Sequence, residues 1–221
     1  MFDTVFSSVV SEICSATYFR LSVPCQWGFA LLTLLFKKKG DPREVANYRG
    51  ITLSCNLKKV YELCLANRFL KFLETRSFSS NYQAAFRSRR STSENVYLLE
   101  EVQRQACDQR IPVYAGLFDL KTAFATVLFH RSIDRLVQVG CSSLFIKAIY
   151  ELMSGNFLSI VIHNGRGNFF PVNRGLGEGS VISPVLFILI LNSSTSSWTY
   201  SSFRAFICPG FQYFIYFLPM T

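Results

Sequence analysis

The stretch FDLKTAF, residues 118–124, decides how the sequence is interpreted, because it places an aspartate directly after a hydrophobic run. Residues 113–118 predict a buried strand, and the residues after Asp119 have helical character. A carboxylate at the end of a buried strand is costly unless cations or hydrogen-bond donors meet it. Asp119 is therefore either the ligand of a cation or a cap on the following helix, where an aspartate commonly accepts hydrogen bonds from the first amides.

The composition indicates a folded chain with a polyanionic partner. Half of the 221 residues are hydrophobic and 15% are aromatic, which excludes a disordered chain. The net charge of +9 favours nucleic acid or an acidic membrane surface. Of the 23 lysines and arginines, 18 precede Asp134. Because the basic residues and the apolar C-terminal segment lie at opposite ends of the sequence, a membrane-surface protein is the weaker alternative.

The cysteines and the apolar runs restrict the class of protein and its location in the cell. The seven cysteines form no CxxC pair, which indicates neither a zinc site nor a disulfide framework. Reduced thiols are typical of an intracellular protein, nuclear or cytoplasmic. The apolar run 185–191 is too short to span a bilayer, so we expect no membrane partner.

The hydrophobic patterning predicts an α/β (α+β) chain, in which helices separate the strands. Residues 1–30 look irregular, and coherent patterning stops at about residue 192, where a serine-rich and then aromatic sequence begins. The predicted elements begin with a strand over 31–36, a basic loop over 37–50 and a helix over 56–74, whose apolar stripe is Leu57, Val60, Tyr61, Cys64, Leu65 and Phe69. A basic loop over 81–95 follows, and its last residues, 92–95, open a helix that carries Val96, Leu99 and Val102. Then come a strand over 112–119, helices to about 139 and over 142–154, a β-hairpin over 157–172 with its turn at Asn164-Gly165, and a glycine-rich loop over 174–184 that leads into a helix over 185–191.

Four segments together resemble the fingers and palm of a reverse transcriptase of the non-LTR retrotransposon type, an RNA-directed DNA polymerase. They are NYRGITL (47–53), QAAFRSRRST (83–92), FDLKTAF (118–124) and GLGEGSVISPVLF (175–187). Any one of these motifs is weak, whereas four in register make a specific match. The resemblance covers residues 31–192 and implies an incomplete right-hand polymerase fold. Its parts are an N-terminal segment of unclear role (1–30), a fingers-like region (31–111), a partial palm with an antiparallel sheet and packed helices (112–192), and a divergent tail (193–221).

The resemblance assigns roles to single residues of the palm. Asp119 corresponds to the first metal-binding, catalytic aspartate, and the backbone carbonyl of Phe118 or of Leu120 would be a further oxygen ligand. The implied cofactor is Mg²⁺, which prefers hard oxygen ligands and acts in pairs in polymerases. Phe124 corresponds to the aromatic residue that lies beneath the incoming sugar and excludes a 2′-hydroxyl.

The same resemblance implies that the chain binds an RNA template, an RNA–DNA hybrid and deoxynucleoside triphosphates. The residues expected to contact the nucleotide are Lys37, Lys38, Lys39, Arg49, Phe124, Glu178 and Gly179. The residues expected to contact nucleic acid are Arg87, Arg89, Arg90, Ser183 and Pro184. The three arginines carry the stronger signal, because like charges this close repel one another without an anion. A lysine run is more commonly a solvated loop, and clustered glycines are more commonly a turn.

The sequence also departs from the family pattern. Glu178 stands where the family usually has glutamine, and at about 4 Å a like-charge contact with phosphate costs about 4 kcal/mol at an effective dielectric of about 20. Ala85 replaces a glycine, and Ala125 replaces an acid. The family continues with a hairpin that carries an aromatic residue, any residue and two aspartates, yet no aspartate follows Asp134.

These departures imply a reverse-transcriptase-like chain truncated before the aspartate pair, without a thumb, and catalytically incompetent by itself. The tail resembles sequence translated out of frame or through an unspliced intron. The alternative is a non-catalytic fragment that binds RNA or RNA–DNA hybrid through its basic half. In either case, the motif order predicts one antiparallel sheet from residues 112–119, 157–163 and 169–174, with Asp119 facing a cleft lined by 175–180.

Overall fold

The computed structural model describes residues 2–76, 90–110, 112, 114–119, 123–162, 165–195, 204–207 and 213–218. The chain forms two compact units, and each consists of two separated segments. The first unit comprises residues 1–66 and 124–183, and the second comprises residues 67–123 and 184–221. The division into fingers-like, palm and tail regions is one of function and stays a prediction.

The helices and strands follow the predicted order closely. The α-helices within the described ranges are α1 (Phe2–Arg20), α2 (Asn56–Thr75), α3 (Thr92–Gln109), α4 (Ala123–Thr126), α5 (Phe129–Gln138), α6 (Ser143–Met153) and α7 (Ser183–Thr195). The strands there are β1 (Phe29–Phe36), β2 (Tyr48–Leu53), β3 (Tyr114–Asp119), β4 (Phe157–Ile162), β5 (Gly165–Arg166), β6 (Phe170–Pro171), β7 (Arg204–Ile207) and β8 (Tyr213–Leu218). The structure describes no helix, within these ranges, with the length and apolar composition needed to cross a bilayer.

Two segments differ from the prediction in their local structure. Residues 1–30, which look irregular in sequence, contain α1 and the start of β1. In α1, Val5, Phe6 and Val9 are exposed while Tyr18 is buried, so exposure along this helix does not follow hydrophobicity. The predicted basic loop 37–50 is shorter than expected, because its last residues already belong to β2.

The first unit contains a mixed five-stranded sheet in the order β2-β1-β4-β5, with β6 also paired to β4. Strand β1 runs antiparallel to β2 and parallel to β4. The parallel pair sets Phe29 opposite Phe157, and their rings stack with centroids 5.5 Å apart. A parallel pair requires a long connection, which the 120 residues between these strands supply. The predicted hairpin is confirmed, since β4 pairs antiparallel with both β5 and β6. Of its predicted turn, Gly165 already belongs to β5, and Asn164 lies outside the described residues.

The second unit contains an antiparallel three-stranded sheet in the order β3-β8-β7. Strand β3 pairs with β8 from Tyr114 opposite Leu218 to Asp119 opposite Tyr213. The prediction that residues 112–119, 157–163 and 169–174 share one sheet is therefore wrong. Strand β3 takes its partner from the tail, which sequence patterning left without secondary structure.

Helix α2 buries a different stripe from the predicted one. Tyr61, Leu65 and Phe69 are each 1% exposed, as expected, whereas Val60 and Cys64 are exposed. The remaining buried residues of α2 are Lys58, Glu62, Ala66 and Leu73. The stripe thus follows helical spacing but includes a lysine and a glutamate.

Helix α3 begins where its sequence predicts. The Ser91 hydroxyl accepts a hydrogen bond from the Glu94 amide and caps the first turn. Its buried side is again offset from the prediction, since Val96 is 46% exposed and Asn95 is buried. Leu99 and Val102 are half-buried, as on the predicted stripe.

Candidate functional site

The glycine-rich loop, residues 175–181, is held at its start by the helical segment around Phe124. The Gly175 amide donates to the Val127 carbonyl at 2.9 Å, and the Leu176 amide donates to the Phe124 carbonyl at 2.8 Å. Gly175 has a φ of +94°, and a Cβ there would lie 3.1 Å from the carbonyl oxygen of Ala125. Glycine is needed here because both the backbone conformation and the close approach disfavour a side chain.

The middle of the glycine-rich loop is held by strand β2. The Thr52 amide donates to the Glu178 carbonyl at 2.8 Å. Gly179 has a φ of +107°, and a Cβ there would lie 2.6 Å from the Thr52 carbonyl oxygen. The Glu178 side chain is exposed to solvent. The backbone at residues 178–179 is therefore fixed while the carboxylate stays hydrated.

The end of the glycine-rich loop is held by Glu62 of α2, a residue that sequence reasoning missed. Its Oε2 accepts hydrogen bonds from the Ser180 hydroxyl at 2.9 Å and from the Val181 amide at 2.7 Å. Glu62 is only 2% exposed. Its helical spacing to Leu65 and Phe69 carries a signal for burial, but a charged residue is not normally assigned to a core.

One turn before Glu62, Lys58 is buried on the same face of α2. Its Nζ donates to Asn156 Oδ1 at 2.8 Å, and the Asn156 amide nitrogen donates in turn to the carbonyls of Leu152 and Met153. Burial lowers the pKa of Lys58, and the negative charge of Glu62 opposes that shift. Lys58 and Glu62 thus compensate one another while each holds a different segment.

Both side chains line a cavity of about 300 Å³ that lies within the first unit. Its wall combines the polar groups of the glycine-rich loop with apolar residues of α6 and β4. Gly177 and Ser180 contribute from the loop, and Ser183 contributes from the first residue of α7. The volume lies at the lower limit for small-molecule pockets.

Ser183 and Pro184 mark the start of α7. Ser183 is 3% exposed and Pro184 is half-buried. Proline is well suited to the first turn of a helix, since the amide it lacks would have no helical acceptor there. The start of the helix is therefore a structural explanation for Ser183 and Pro184, in addition to the predicted contact with nucleic acid.

The predicted phosphate-binding residues lie on the hairpin of β1 and β2. Lys38, Lys39 and Arg49 are exposed. The Lys37 ammonium donates to the Ala46 carbonyl at 3.0 Å, so this lysine braces the hairpin loop. Between residues 37 and 49 the chain has five basic and two acidic side chains, which leaves the exposed hairpin positively charged.

Asp119 is the last residue of β3, and Phe118 precedes it in the same strand. The backbone register sets Asp119 opposite Tyr213 and Phe118 opposite Phe214. Helix α4 begins at Ala123, so Asp119 does not occupy the position directly before that helix, as a cap would. Its side chain lies outside what the structure describes, as does the predicted orientation towards residues 175–180.

The remaining predicted residues divide between described and undescribed positions. Phe124 lies in α4, half-buried, with its carbonyl bonded to Leu176. The Arg90 guanidinium meets the Glu94 carboxylate at 3.4 Å, so this arginine has an anionic partner within the chain. Arg87 and Arg89 lie outside the described residues. In the part of the chain that the structure describes, no three histidines, cysteines or acids cluster as metal ligands would.

Comparison with protein families gives one match that covers most of the chain. The family model described as reverse transcriptase (RNA-dependent DNA polymerase) matches residues 36–217. The match extends beyond residue 192, where the sequence patterning stops, and includes β7 and β8 as far as residue 217.

Individual relatives agree with this match. The probable RNA-directed DNA polymerase from transposon X-element of Drosophila melanogaster is 24% identical over 181 residues, which are 82% of this chain and 19% of the relative. The corresponding protein from transposon BS of the same organism is 27% identical over 74% of this chain and 18% of its own length. The chain thus spans about a fifth of the length of these curated relatives.

A solved structure supports the fold. The telomerase of Candida tropicalis, determined in complex with a fragment of telomeric RNA, aligns with a TM-score of 0.64 at 11% identity. The alignment covers 96% of this chain and 40% of the telomerase chain. This likeness confirms the mixed α and β polymerase fold class that the motifs imply.

Proposed function

Because this chain belongs to the reverse transcriptase family, of the non-LTR retrotransposon type, we propose that it binds an RNA template or an RNA–DNA hybrid without extending a primer by itself. The basic half of the chain supplies phosphate contacts, and the glycine-rich loop supports the paired bases. We expect no primer extension, because the strands that pair next to β3 supply no second carboxylate to act with Asp119.

The pairing of β3 with β8 carries this proposal. Asp119 lies opposite Tyr213, and the hairpin from 204 to 218 contains no aspartate or glutamate. The family hairpin that follows the glycine-rich loop carries an aspartate pair, which this hairpin does not provide. The proposal therefore assigns the tail a structural place beside β3 and no part in chemistry.

The donor set does not fit a two-magnesium centre. Mg²⁺ takes hard oxygen ligands in near-octahedral geometry, and paired ions need carboxylates that bridge them. Among the described residues of the sheet β3-β8-β7, Asp119 is the one acidic residue, and the Phe118 carbonyl is the further oxygen beside it. Such a site holds a divalent ion weakly, so no catalytic step is assigned to it.

The nucleotide side of the proposal rests on the hairpin of β1 and β2. Exposed Lys38, Lys39 and Arg49 suit phosphate oxygens, since arginine forks onto them and lysine acts as a point charge. Lys37 contributes by bracing the hairpin. Gly179 and Phe124 would lie beneath the base pair and sugar, and hydrated Glu178 would weaken binding of the triphosphate.

The arginine cluster at 87–90 is the proposed contact with the nucleic-acid backbone. Arg90 already pairs with Glu94, so Arg87 and Arg89 are expected to contribute most of the phosphate contacts. Ser183 and Pro184 would support the template strand through the start of α7. These contacts predict affinity that depends strongly on salt and weakly on sequence.

The test is the salt dependence of hybrid binding. Replacement of Arg87, Arg89 and Arg90 by alanine should reduce the slope of log affinity against log salt by about 2, because each phosphate contact contributes about 0.7 to 0.9. Arg104→Ala is the control, since Arg104 is exposed on α3 and already bonded to Glu101 and Asp108. A slope unchanged in the triple variant would contradict the assignment.

A further inference from the structure

Glu62 is a buried carboxylate whose visible role is to hold a loop. A carboxylate removed from water is costly unless hydrogen bonds and a counter-charge compensate it. Glu62 receives both, from the Ser180 hydroxyl, the Val181 amide and the neighbouring Lys58. The partners on the loop are 118 and 119 residues away in sequence. The fold therefore brings Glu62 to this loop through tertiary structure alone.

The three anchors of the glycine-rich loop are chemically different. The segment at Phe124 and the strand residue Thr52 bind the loop through backbone amides and carbonyls. Backbone partners are available whatever the side chains are. The bond from Glu62 to Ser180 and Val181 depends on one side chain, so a single substitution can remove it while the other two anchors remain.

We propose that Glu62 is a positioning residue that sets the end of the glycine-rich loop in the conformation that receives the RNA–DNA hybrid. The inference rests on the proposed function, because it gives that loop a binding role. Glu62 itself would not touch nucleic acid, since it is buried and its Oε2 is already bonded to the loop. Its effect would be exerted through Ser180 and Val181, which precede α7 by three and two residues.

Amide exchange at Val181, with hybrid affinity measured on the same variants, tests the proposal. Glu62→Leu removes the acceptor at similar volume, and we expect Val181 to exchange on the order of 10- to 100-fold faster. Hybrid affinity should fall about 10-fold, with the salt slope unchanged because no phosphate contact is lost. Glu62→Gln keeps an acceptor oxygen and should restore both properties to within about 3-fold of the native chain. Glu74→Leu, on the exposed end of α2, is the matched control and should change neither.

The double variant Lys58→Met/Glu62→Leu separates loop anchoring from general destabilisation. Removing both charges avoids leaving the Lys58 ammonium buried without a counter-charge. An apolar replacement of a buried charge pair is often neutral for stability. We expect the double variant to unfold close to the native transition while Val181 stays unprotected and hybrid affinity stays low.

Three outcomes separate the inference from the proposed function. If the Val181 amide exchanges at the native rate in Glu62→Leu and in Lys58→Met/Glu62→Leu, Glu62 does not anchor the loop. Fast exchange with native hybrid affinity would overturn the positioning role. Absence of hybrid binding by the native chain would instead overturn the proposed function and with it the positioning role, while the exchange rates would still show whether Glu62 holds the loop.

Discussion

The glycine-rich loop of the first unit and the hairpin of β7 and β8 in the second match the expected family pattern to different extents. The loop has glycines at two positions with positive φ, Gly175 and Gly179, and hydrogen bonds hold both of its ends. The hairpin keeps a place beside β3, at the strand that ends with Asp119, but has no carboxylate.

The difference has a physical cause. Backbone hydrogen bonds between strands need only amides and carbonyls, so almost any β-prone sequence can pair with β3. Aromatic and β-branched residues, such as those in YFIYFL of β8, suit such a strand. A metal centre needs particular side chains at particular positions. Strand pairing can therefore persist where the chemistry does not.

The strongest test of the loop is Gly179→Ala. The new Cβ would meet the Thr52 carbonyl oxygen at 2.6 Å, in a conformation with a φ of +107° that side chains rarely adopt. We expect a loss of about 2–4 kcal/mol in the free energy of unfolding, measured by urea denaturation.

Gly177→Ala provides the matched control within the same loop. A Cβ at Gly177 would meet its nearest neighbour, the Ser180 Cβ, at 3.8 Å, an ordinary contact. The expected change is below about 1 kcal/mol. Equal losses in the two variants would mean that the loop is not held at Gly179.

Sequence patterning predicted the elements better than their partners. The helix from Asn56, the strand ending at Asp119 and the hairpin from Phe157 all follow from local periodicity and turn residues. The parallel pairing of β1 with β4 depends on contacts across more than 120 residues, which periodicity does not encode. The pairing of β3 with the tail was missed for the same reason.

The candidate site shows the same division. The glycines, Asp119 and the basic hairpin were found because their residue types are unusual at those positions. Lys58 and Glu62 were missed because a charge on a helix usually indicates a solvated face. Only the tertiary structure shows that Asn156, Ser180 and Val181 lie where those charges can be compensated.

The account of the hairpin of β7 and β8, that it lacks a carboxylate beside Asp119, can be tested by adding one. Tyr213→Asp places one at the register position opposite Asp119. Without metal, the two like charges should destabilise the chain. With Mg²⁺ or Mn²⁺ at about ten times the dissociation constant, binding should restore about 1.4 kcal/mol, seen as a rise in Tm. The native chain and the double variant Asp119→Asn/Tyr213→Asp should show a much smaller rise, and an equal rise in all three would contradict this account of the hairpin.

The smallest expected effect concerns the exposed face of α3, which belongs neither to the glycine-rich loop nor to the hairpin of β7 and β8. Hydrogen bonds from Arg104, and secondly from Gln105, lower the pKa of Glu101 to about 2. A lowered carboxyl pKa stabilises the folded state above the ordinary value of 4.5, and this contribution is lost as the pH falls towards 2. Arg104→Ala should raise the pKa of Glu101 more than Gln105→Ala does, as measured by NMR titration of the carboxyl carbon. The opposite order would show that Gln105 dominates.

The central claim, a polymerase-type scaffold that binds nucleic acid without completing its metal centre, is tested most directly by primer extension on an RNA template. The purified chain is incubated with an RNA–DNA hybrid, deoxynucleoside triphosphates and Mg²⁺, beside an active reverse transcriptase as the positive control. Hybrid binding is measured on the same sample. We predict salt-dependent hybrid binding with no template-directed nucleotide addition, in the native chain and in Asp119→Ala alike. Template-directed addition by the native chain that disappears in Asp119→Ala would contradict the account.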